Sequence, residues 1–517
     1  MNSQFLNQYP NALYPKNLHE SSILILISLS TSFLERVLQK MIVFRAIAGP
    51  IAISSLFVLS GCSLHRVDEN AAVPEVESLA SYKEYPQGSA IDQKWVADSW
   101  WKTFEDPVLD QLIQEGLYSN FDLQGLAARI EQAGALARQA GARLLPSVTL
   151  SGRYESEWDG ETIAPDTRDR KETTDAGGLL NWEIDLFGRL SSARKERLFS
   201  KEATIQDWLD ARLLISSVIA EQYFEIKEQR RQLEVILEQI ATNESQLELI
   251  TKRFGQGQAS IVDVLQQREQ LDETRARVPE TEARIESLQY ALEALLGKAP
   301  GTGRPILDSN FAGLPELPEV GIPAYLLQRR PDLQASRNRV LAIDYSVGVA
   351  VAEQLPTLRI GGGLDWQGDP DFGDRITSTF ASLASPLFAA GSRRAQVALR
   401  KAELEEALAS YSNLFLTAMV EVESALILER KLQERLILVE RQLNTARRLL
   451  TEARNRYSQG LTDYLPVFTS LNITQNLERA IVTARRDVLS ARVGLHRALG
   501  GPILSNTPPH LASNANE

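Results

Sequence analysis

The residue types that most often carry catalysis or bind metals are too scattered in this chain for either task. Beyond residue 61 the histidines are His65, His496 and His510, and no HExxH or paired-cysteine spacing accompanies them. The acidic run at 369–374 is similar to the start of a calcium loop, but Phe380 stands where that loop needs a glutamate. The sequence therefore predicts no enzyme, no metal site and no cofactor.

A segment typical of an export signal precedes the only cysteine of the chain. Arg45 follows Met41, an apolar stretch covers 46–59, and this stretch is too short to span a membrane. We interpret 41–61 as the signal peptide. Because a signal begins near its charged end, we interpret 1–40 as an upstream extension that is not native and exclude it from the fold prediction.

The residues at the end of this segment, Leu59-Ser60-Gly61-Cys62, resemble the lipobox of bacterial lipoproteins. The resemblance implies that cleavage leaves Cys62 first in the mature chain, with a diacylglyceryl thioether on its sulfur and an acylated amine. Two or three acyl chains would hold the chain at a membrane stably, whereas one chain would bind only marginally. Ser63 follows, where an aspartate would indicate retention at the inner membrane.

Composition excludes several classes of protein. The formal net charge is −12, which is unlike a nucleic-acid-binding protein. With one cysteine the chain forms no internal disulfide, so packing alone must stabilise it outside the cytoplasm. Charged residues make up 24% of the chain, and no uninterrupted apolar run is long enough for a transmembrane helix. Any membrane crossing must therefore use strands.

The chain contains an internal duplication. Asp122-Leu123-Gln124 recurs 210 residues later as Asp332-Leu333-Gln334, and similar pairs follow in the same order to the end. We assign residues 62–310 to the first repeat, 311–503 to the second and 504–517 to a flexible tail. Each repeat is predicted to contain a helix, two strands, a long helix, a tight turn and a returning helix.

Apolar residues spaced by seven predict long coiled-coil helices at 191–254 and 393–457. In the first helix the series runs from Ile219 to Phe254, and in the second it fails once, at Glu429. Such spacing forces left-handed supercoiling, and each helix would reach roughly 100 Å at about 1.5 Å per residue. Turns at Gly257 and Gly460 should reverse the chain into descending helices.

Four segments alternate apolar and polar residues as strands do, at 147–158, 177–187, 357–366 and 376–387. Their aromatic residues lie toward strand ends and their opposite faces carry charge, as in a transmembrane barrel. Four strands cannot close such a barrel, because the smallest have about eight. Two or three chains must then contribute, and only three leave an appreciable channel. A small soluble β-domain covered by helices is the alternative.

Taken in order, these features resemble the TolC-like outer-membrane efflux factors, and among them the NodT-type lipoprotein branch. The resemblance is carried by Trp100-Trp101 with Asp106-Pro107, by the run Gln328-Arg329-Arg330-Pro331, and by Leu495-His496-Arg497. The resemblance implies an α+β membrane protein with an internal duplication. Its homotrimer would form a 12-stranded β-barrel with four strands per chain, continued by a long α-helical coiled-coil barrel. It also implies partnership with a periplasmic adaptor and an inner-membrane pump, commonly of the resistance-nodulation-division class.

By the same resemblance the two helical turns form a periplasmic tip. The residues expected to contact the adaptor are Arg253, Phe254 and Gly257, and those expected to form or flank the gate are Arg456, Tyr457, Gly460, Asp463 and Thr469. Thr469 stands where relatives often place an acidic residue. Asp463 has two interpretations. It could form a ring of carboxylates around the pore axis, or it could be a helix N-cap or first-turn carboxylate after Gly460.

The sequence thus predicts a passive outer-membrane conduit for solutes that an inner-membrane pump delivers. The alternative function is a lipid-anchored periplasmic scaffold or adaptor protein that forms no channel.

Overall fold

Long antiparallel helices and one four-stranded sheet make up the described part of the chain. The computed structural model describes residues 65–69, 81–83, 99–158, 170–318, 320–368 and 373–501. These residues belong to one structural unit, Cys62–Glu517, and the other unit, Met1–Gly61, lies outside them. The upstream extension, the signal peptide, Cys62 and the tail at 504–517 also lie outside the described residues.

Helices and strands follow the predicted order in both halves. The first half contains α1 (Pro107–Ser119), α2 (Phe121–Ala142), β1 (Ser147–Trp158), β2 (Arg170–Ile184), α3 (Arg189–Gly255) and α4 (Ile261–Leu295). The second half contains α5 (Pro331–Ala352), β3 (Thr357–Gly368), β4 (Asp374–Ala384), α6 (Ser392–Ser458) and α7 (Leu465–Ala498). Short helical turns at Trp100–Phe104, Pro323–Tyr325 and Leu326–Arg329 connect them.

The long helices α3 and α6 each contain 67 residues, so each spans roughly 100 Å. Their observed ends differ from the predicted ends by at most two residues. The helix α4 continues through Pro279. By length and composition alone, one stretch of α6 would suffice to cross a membrane, and 33% of this stretch is buried. One such helix is weak evidence for a span, because core helices of soluble proteins pass the same test.

The sheet is antiparallel throughout, with strand order β1-β2-β3-β4. β1 has the predicted bounds. β2 begins at residue 170 instead of 177, because residues 170–176 pair with β1 although they lack clear apolar alternation, and it ends at Ile184 instead of 187. β3 extends two residues further, to Gly368. β4 ends at Ala384 and not at 387, because Pro386 has no N–H for the ladder.

The two halves share their cores. Leu489 and Val493 of α7 join the cluster built mainly from α1, α2 and α3. A second cluster packs Leu333 of α5 against Phe415 and Val422 of α6. The repeats therefore do not form separate globular units.

Candidate functional site

The register of the sheet gathers its apolar side chains on one face. Leu180 lies between Val148 and Gly362, and Trp182 lies opposite Ile360. Because side chains alternate along every strand, this register assigns one whole set to the same side. The set is Val148, Leu150, Tyr154, Leu180, Trp182, Ile184, Leu358, Ile360, Leu364, Trp366 and Leu383.

Nothing in the described chain covers much of this apolar face. Leu150 is 84% exposed, and Val148 and Leu383 are each 68% exposed. The two outer strands, β1 and β4, each have one edge without a partner strand among the described residues. A sheet with an exposed apolar face and open edges requires further contacts outside this chain.

The opposite face of the sheet is polar and charged. Where it meets the helices, Glu183 accepts a hydrogen bond from Arg189 at 2.6 Å, and Arg359 lies 3.6 Å from the same carboxylate. Nearer the far end, Arg153 pairs with Glu155 at 3.6 Å. One sheet thus has an apolar face and a polar face, as the sequence predicted.

At the opposite end of the long helices, two glycines reverse the chain. Gly257 and Gly460 have φ values of 72° and 71°, a conformation that favours glycine. After the first turn, Ser260 and Asp263 form a reciprocal capping box at the start of α4. Both turns therefore lie where the sequence placed them.

Arg253 joins the two turns. Its guanidinium donates to the backbone oxygens of Tyr457 at 3.2 Å and Ser458 at 3.4 Å, and lies 4.5 Å from the centre of the Tyr457 ring. The Tyr457 ring is 5.5 Å from that of Tyr464, whose hydroxyl donates to Gln267 at 2.6 Å. Burial raises the pKa of the Tyr464 hydroxyl, so it stays a hydrogen-bond donor.

The other predicted tip residues are more exposed. Phe254 is 43% exposed, although the spacing by seven had placed it in the core, because the helix ends one residue later. Arg456 and Thr469 are also exposed. Asp463 is exposed and accepts from Thr462 at 3.4 Å. Its interpretation as a helix N-cap or first-turn carboxylate is wrong, because the N-cap position of α7 is Tyr464, no side chain caps that end and the first turn contains no acidic residue.

A buried amide cluster above the tip was not predicted. Gln475 of α7 donates to the side-chain oxygen of Asn243 at 2.9 Å, and Asn243 donates to Thr274 of α4 at 3.0 Å. Gln239 donates to the backbone oxygen of Gln475 at 2.9 Å. All four side chains are at least 96% buried, whereas Leu233, Ile240 and Leu247 of the heptad series are only half-buried.

A buried lysine forms ion pairs between α3 and the segments before α1 and after α4. The ammonium of Lys227 lies 3.3 Å from Asp106 and 3.1 Å from Asp308, and Asp106 also accepts from Tyr223 at 2.7 Å. Burial raises the pKa of Tyr223, and the backbone N–H of Asn310 lowers that of Asp308. The sequence signal for Asp106 was an N-cap residue followed by proline at the first helical position.

A second buried ion pair accounts for the break in the heptad pattern. Glu429 is 1% exposed and accepts two hydrogen bonds at 3.0 Å from Nε of Arg492. Arg492 also donates to the backbone of Glu316 at 2.6 Å. His496, one turn further along α7, stacks on Trp100, and burial followed by the charge of Arg492 lowers its pKa to about 3. It is therefore neutral at physiological pH.

Among the described residues, no group of three or more histidine, cysteine, aspartate or glutamate side chains is arranged to bind a metal ion. The two features that could carry function are therefore the two-faced sheet and the exposed turns at the tip.

Comparison with known proteins agrees with this geometry. The family model described as "Outer membrane efflux protein" matches residues 112–298 and 322–501. Two curated relatives are the pyoverdine export outer membrane protein OpmQ of Pseudomonas putida and nodulation protein T of Rhizobium leguminosarum bv. trifolii. The first is 30% identical over 79% of this chain and 89% of its own. The second is 26% identical over 82% and 92%.

A solved structure of the outer-membrane channel OprN shares the fold. It superposes with a TM-score of 0.76 at 27% sequence identity, covering 83% of this chain and 99% of that one.

Proposed function

Because the chain belongs to the outer membrane efflux protein family, we propose that it is a channel subunit that conducts solutes passively from the periplasm across the outer membrane. The observation that supports this most strongly is the exposed apolar face of the sheet, with Leu150 at 84% exposure. In a soluble protein that face would be covered, whereas hydrocarbon lipid can cover it in a membrane. The sheet then forms part of a channel wall.

The open edges of β1 and β4 support an assembly of identical chains. Unpaired strand edges are not viable in lipid, so β4 of one chain must pair with β1 of the next until the wall closes. Three chains supply twelve strands, enough for a channel. We infer a homotrimer whose long helices continue the barrel into the periplasm.

The scaffold alternative gains no support from the described residues. A periplasmic scaffold would have to bury Val148, Leu150 and Leu383 against its own helices, yet all three are more than 60% exposed.

The tip supports contact with a periplasmic adaptor. Apolar side chains are exposed on both turns, including Ile261 at 50% and Leu461 at 63%. Phe254, one residue before the end of α3, is also exposed, and Arg253 donates a hydrogen bond from the first turn to the second. We propose that an adaptor binds here and links the channel to an inner-membrane pump of the resistance-nodulation-division class.

Asp463 is our candidate for a ring of carboxylates that narrows the closed pore. It is exposed and does not cap α7, so its charge is available to solvent. Three copies around an axis would favour cations. Conductance of the Asp463→Ala protein in planar bilayers should show a weaker preference for K⁺ over Cl⁻, and an unchanged ratio would rule out the ring.

Cys62 is our proposed lipid anchor. Its described neighbour His65 lies 2.6 Å from Asp344 of α5, the helix that leads into β3. The resemblance of Leu59-Ser60-Gly61-Cys62 to the lipobox supports this proposal. Intact-mass analysis should find the diacylglyceryl adduct on wild type and lose it in Cys62→Ser.

Purification from outer membranes tests the channel itself. We expect a trimer that dissociates on heating in detergent and conducts ions in planar bilayers. A lipid-soluble photoreactive probe should label Leu150 and Ile360 in intact envelopes but not Ser151. A monomer without conductance, or protection of both apolar residues, would refute the proposal.

A further inference from the structure

The face of the sheet that we assign to the channel interior carries an unexpected apolar patch. Leu179, Ile376 and Phe380 point to this face and are 45%, 47% and 39% exposed. By register, Phe380 lies opposite Gly361 and Ile376 lies opposite Asp365. An otherwise polar wall therefore exposes an aromatic ring opposite Gly361 and a carboxylate four residues further along β3.

Three glycines shape the wall under this patch. The Cζ and Cε1 atoms of Phe380 occupy the space that a Cβ at residue 361 would fill, so the ring folds over Gly361. One carboxylate oxygen of Asp365 does the same above Gly177, and the other lies 3.5 Å from the Cβ position of Gly363. The glycines thus leave room for a bulky ring and a carboxylate close to the backbone, where Phe380 is 39% exposed and Asp365 is half-buried.

The spacing of these two groups defines a ligand. Gly361 and Gly363 are two residues apart on β3, which is about 7 Å. The Phe380 ring lies above Gly361, and the Asp365 carboxylate reaches toward Gly363. A solute that contacts both must carry an aromatic or apolar body and a positive charge separated by up to roughly 7 Å.

The charge of the surrounding wall favours a cation. The guanidinium groups on this face lie beside carboxylates, Arg153 at 3.6 Å from Glu155 and Arg359 at 3.6 Å from Glu183. Asp175 and Asp374 lie on the same face as Asp365. An anion would meet net repulsion here.

We propose that Phe380, Ile376 and Asp365 form a weak binding site for aromatic monocations on the channel wall, one site per subunit. The inference rests on the proposed channel function, because it requires this face to line the pore. The ring attracts the cation through its π face, and the carboxylate attracts it by charge. Weak sites around the pore retain such solutes briefly without trapping them.

Block of single-channel current tests the site with a matched pair of probes. Benzyltrimethylammonium carries the aromatic group, and tetramethylammonium carries the charge alone. We expect benzyltrimethylammonium to reduce the wild-type K⁺ current at a concentration several times lower than tetramethylammonium. Phe380→Leu, which keeps an apolar side chain, should raise the half-blocking concentration of the aromatic probe roughly two- to fivefold. It should leave that of tetramethylammonium unchanged.

Two further variants separate the contributions. Asp365→Asn preserves the shape above Gly177 and should weaken block by both cations. Ser382→Ala, on the same face of β4 but outside the patch, should change neither. If both probes block wild type and Phe380→Leu equally, the site is refuted while the channel stands. If wild type forms no conducting trimer, the proposed function fails first.

Discussion

Arginine substitutions at adjacent residues of β1 test the two-faced wall most directly. Leu150 lies on the apolar face and Ser151 on the polar face, and their Cα atoms are one residue apart. Both variants place the same charged side chain on the same strand. The main difference is the solvent that receives the arginine, so a large difference in stability reports which face meets lipid.

The position of Leu150 sets the expected magnitude. β1 runs from Ser147 to Trp158, so Leu150 lies two to three residues from its centre. At about 3.3 Å per residue and a tilt near 45°, this is roughly 6 Å from the midplane. Arginine on a barrel's lipid face costs about 2–4 kcal/mol at the midplane and about 0–1 at the interfaces. We expect about 2 kcal/mol per chain and roughly 6 kcal/mol per trimer if the three sites add.

The assay is the temperature at which the trimer dissociates in detergent, together with urea unfolding in lipid vesicles. Leu150→Arg should assemble in low yield and dissociate well below wild type. Ser151→Arg should stay within about 0.5 kcal/mol of wild type, as exposed substitutions usually do.

Equal destabilisation by the two variants would contradict the assignment of faces. A larger effect at Ser151 would reverse it, and the apolar face would then be an interface between protein surfaces.

Three further predictions concern the helices. Arg253→Ala should loosen the second turn, because it removes the hydrogen bond to the Tyr457 backbone and the contact with the Tyr457 ring. Hydrogen exchange of the backbone amides at the second turn should accelerate roughly 5–30-fold, and Arg253→Lys should give a smaller change. Arg492→Met should cost about 3–5 kcal/mol of unfolding free energy by stranding buried Glu429, and adding Glu429→Leu should restore most of it. Burial, and then the charge of a neighbouring aspartate, raises the pKa of Asp210 to about 6 from 3.8, so its stabilising contribution is complete below about pH 4 and is lost as pH rises through 6. Asp210→Asn should therefore raise the melting temperature at pH 7.5 and leave it nearly unchanged at pH 4.

The sequence predicted the long helices and the sheet faces because both depend on periodicity. Spacing by seven located α3 and α6 to within two residues, and spacing by two placed Leu150 and Trp182 on one face. The start of β2 was missed because residues 170–176 are held by backbone pairing with β1, and that pairing leaves no apolar pattern. Local rules fail where a distant strand supplies the stabilisation.

Individual contacts at the site were harder to predict. Arg253 and Tyr457 were both named for the tip, but nothing in their spacing indicated that they touch across 204 positions. Glu429 stood out as a fault in the heptad pattern, and its buried partner Arg492 lies 63 residues away. A polar residue at a core position indicates that a partner exists, but only the fold identifies it.

The buried amides fix the alignment of α3 and α7, which a long uniform coiled coil leaves undetermined. A sequence with apolar residues every seven positions packs almost as well after a slip of one heptad, so the apolar stripe alone does not fix how α3 and α7 align. The pair Asn243–Gln475 removes that freedom, because the positions seven residues either side of Gln475 are Phe468 and Val482. A slipped helix would leave the Asn243 amide buried against an apolar side chain at a cost of about 1–3 kcal/mol in every chain. The amides therefore fix the level at which both turns end, and the adaptor contact that we propose for the tip depends on that level.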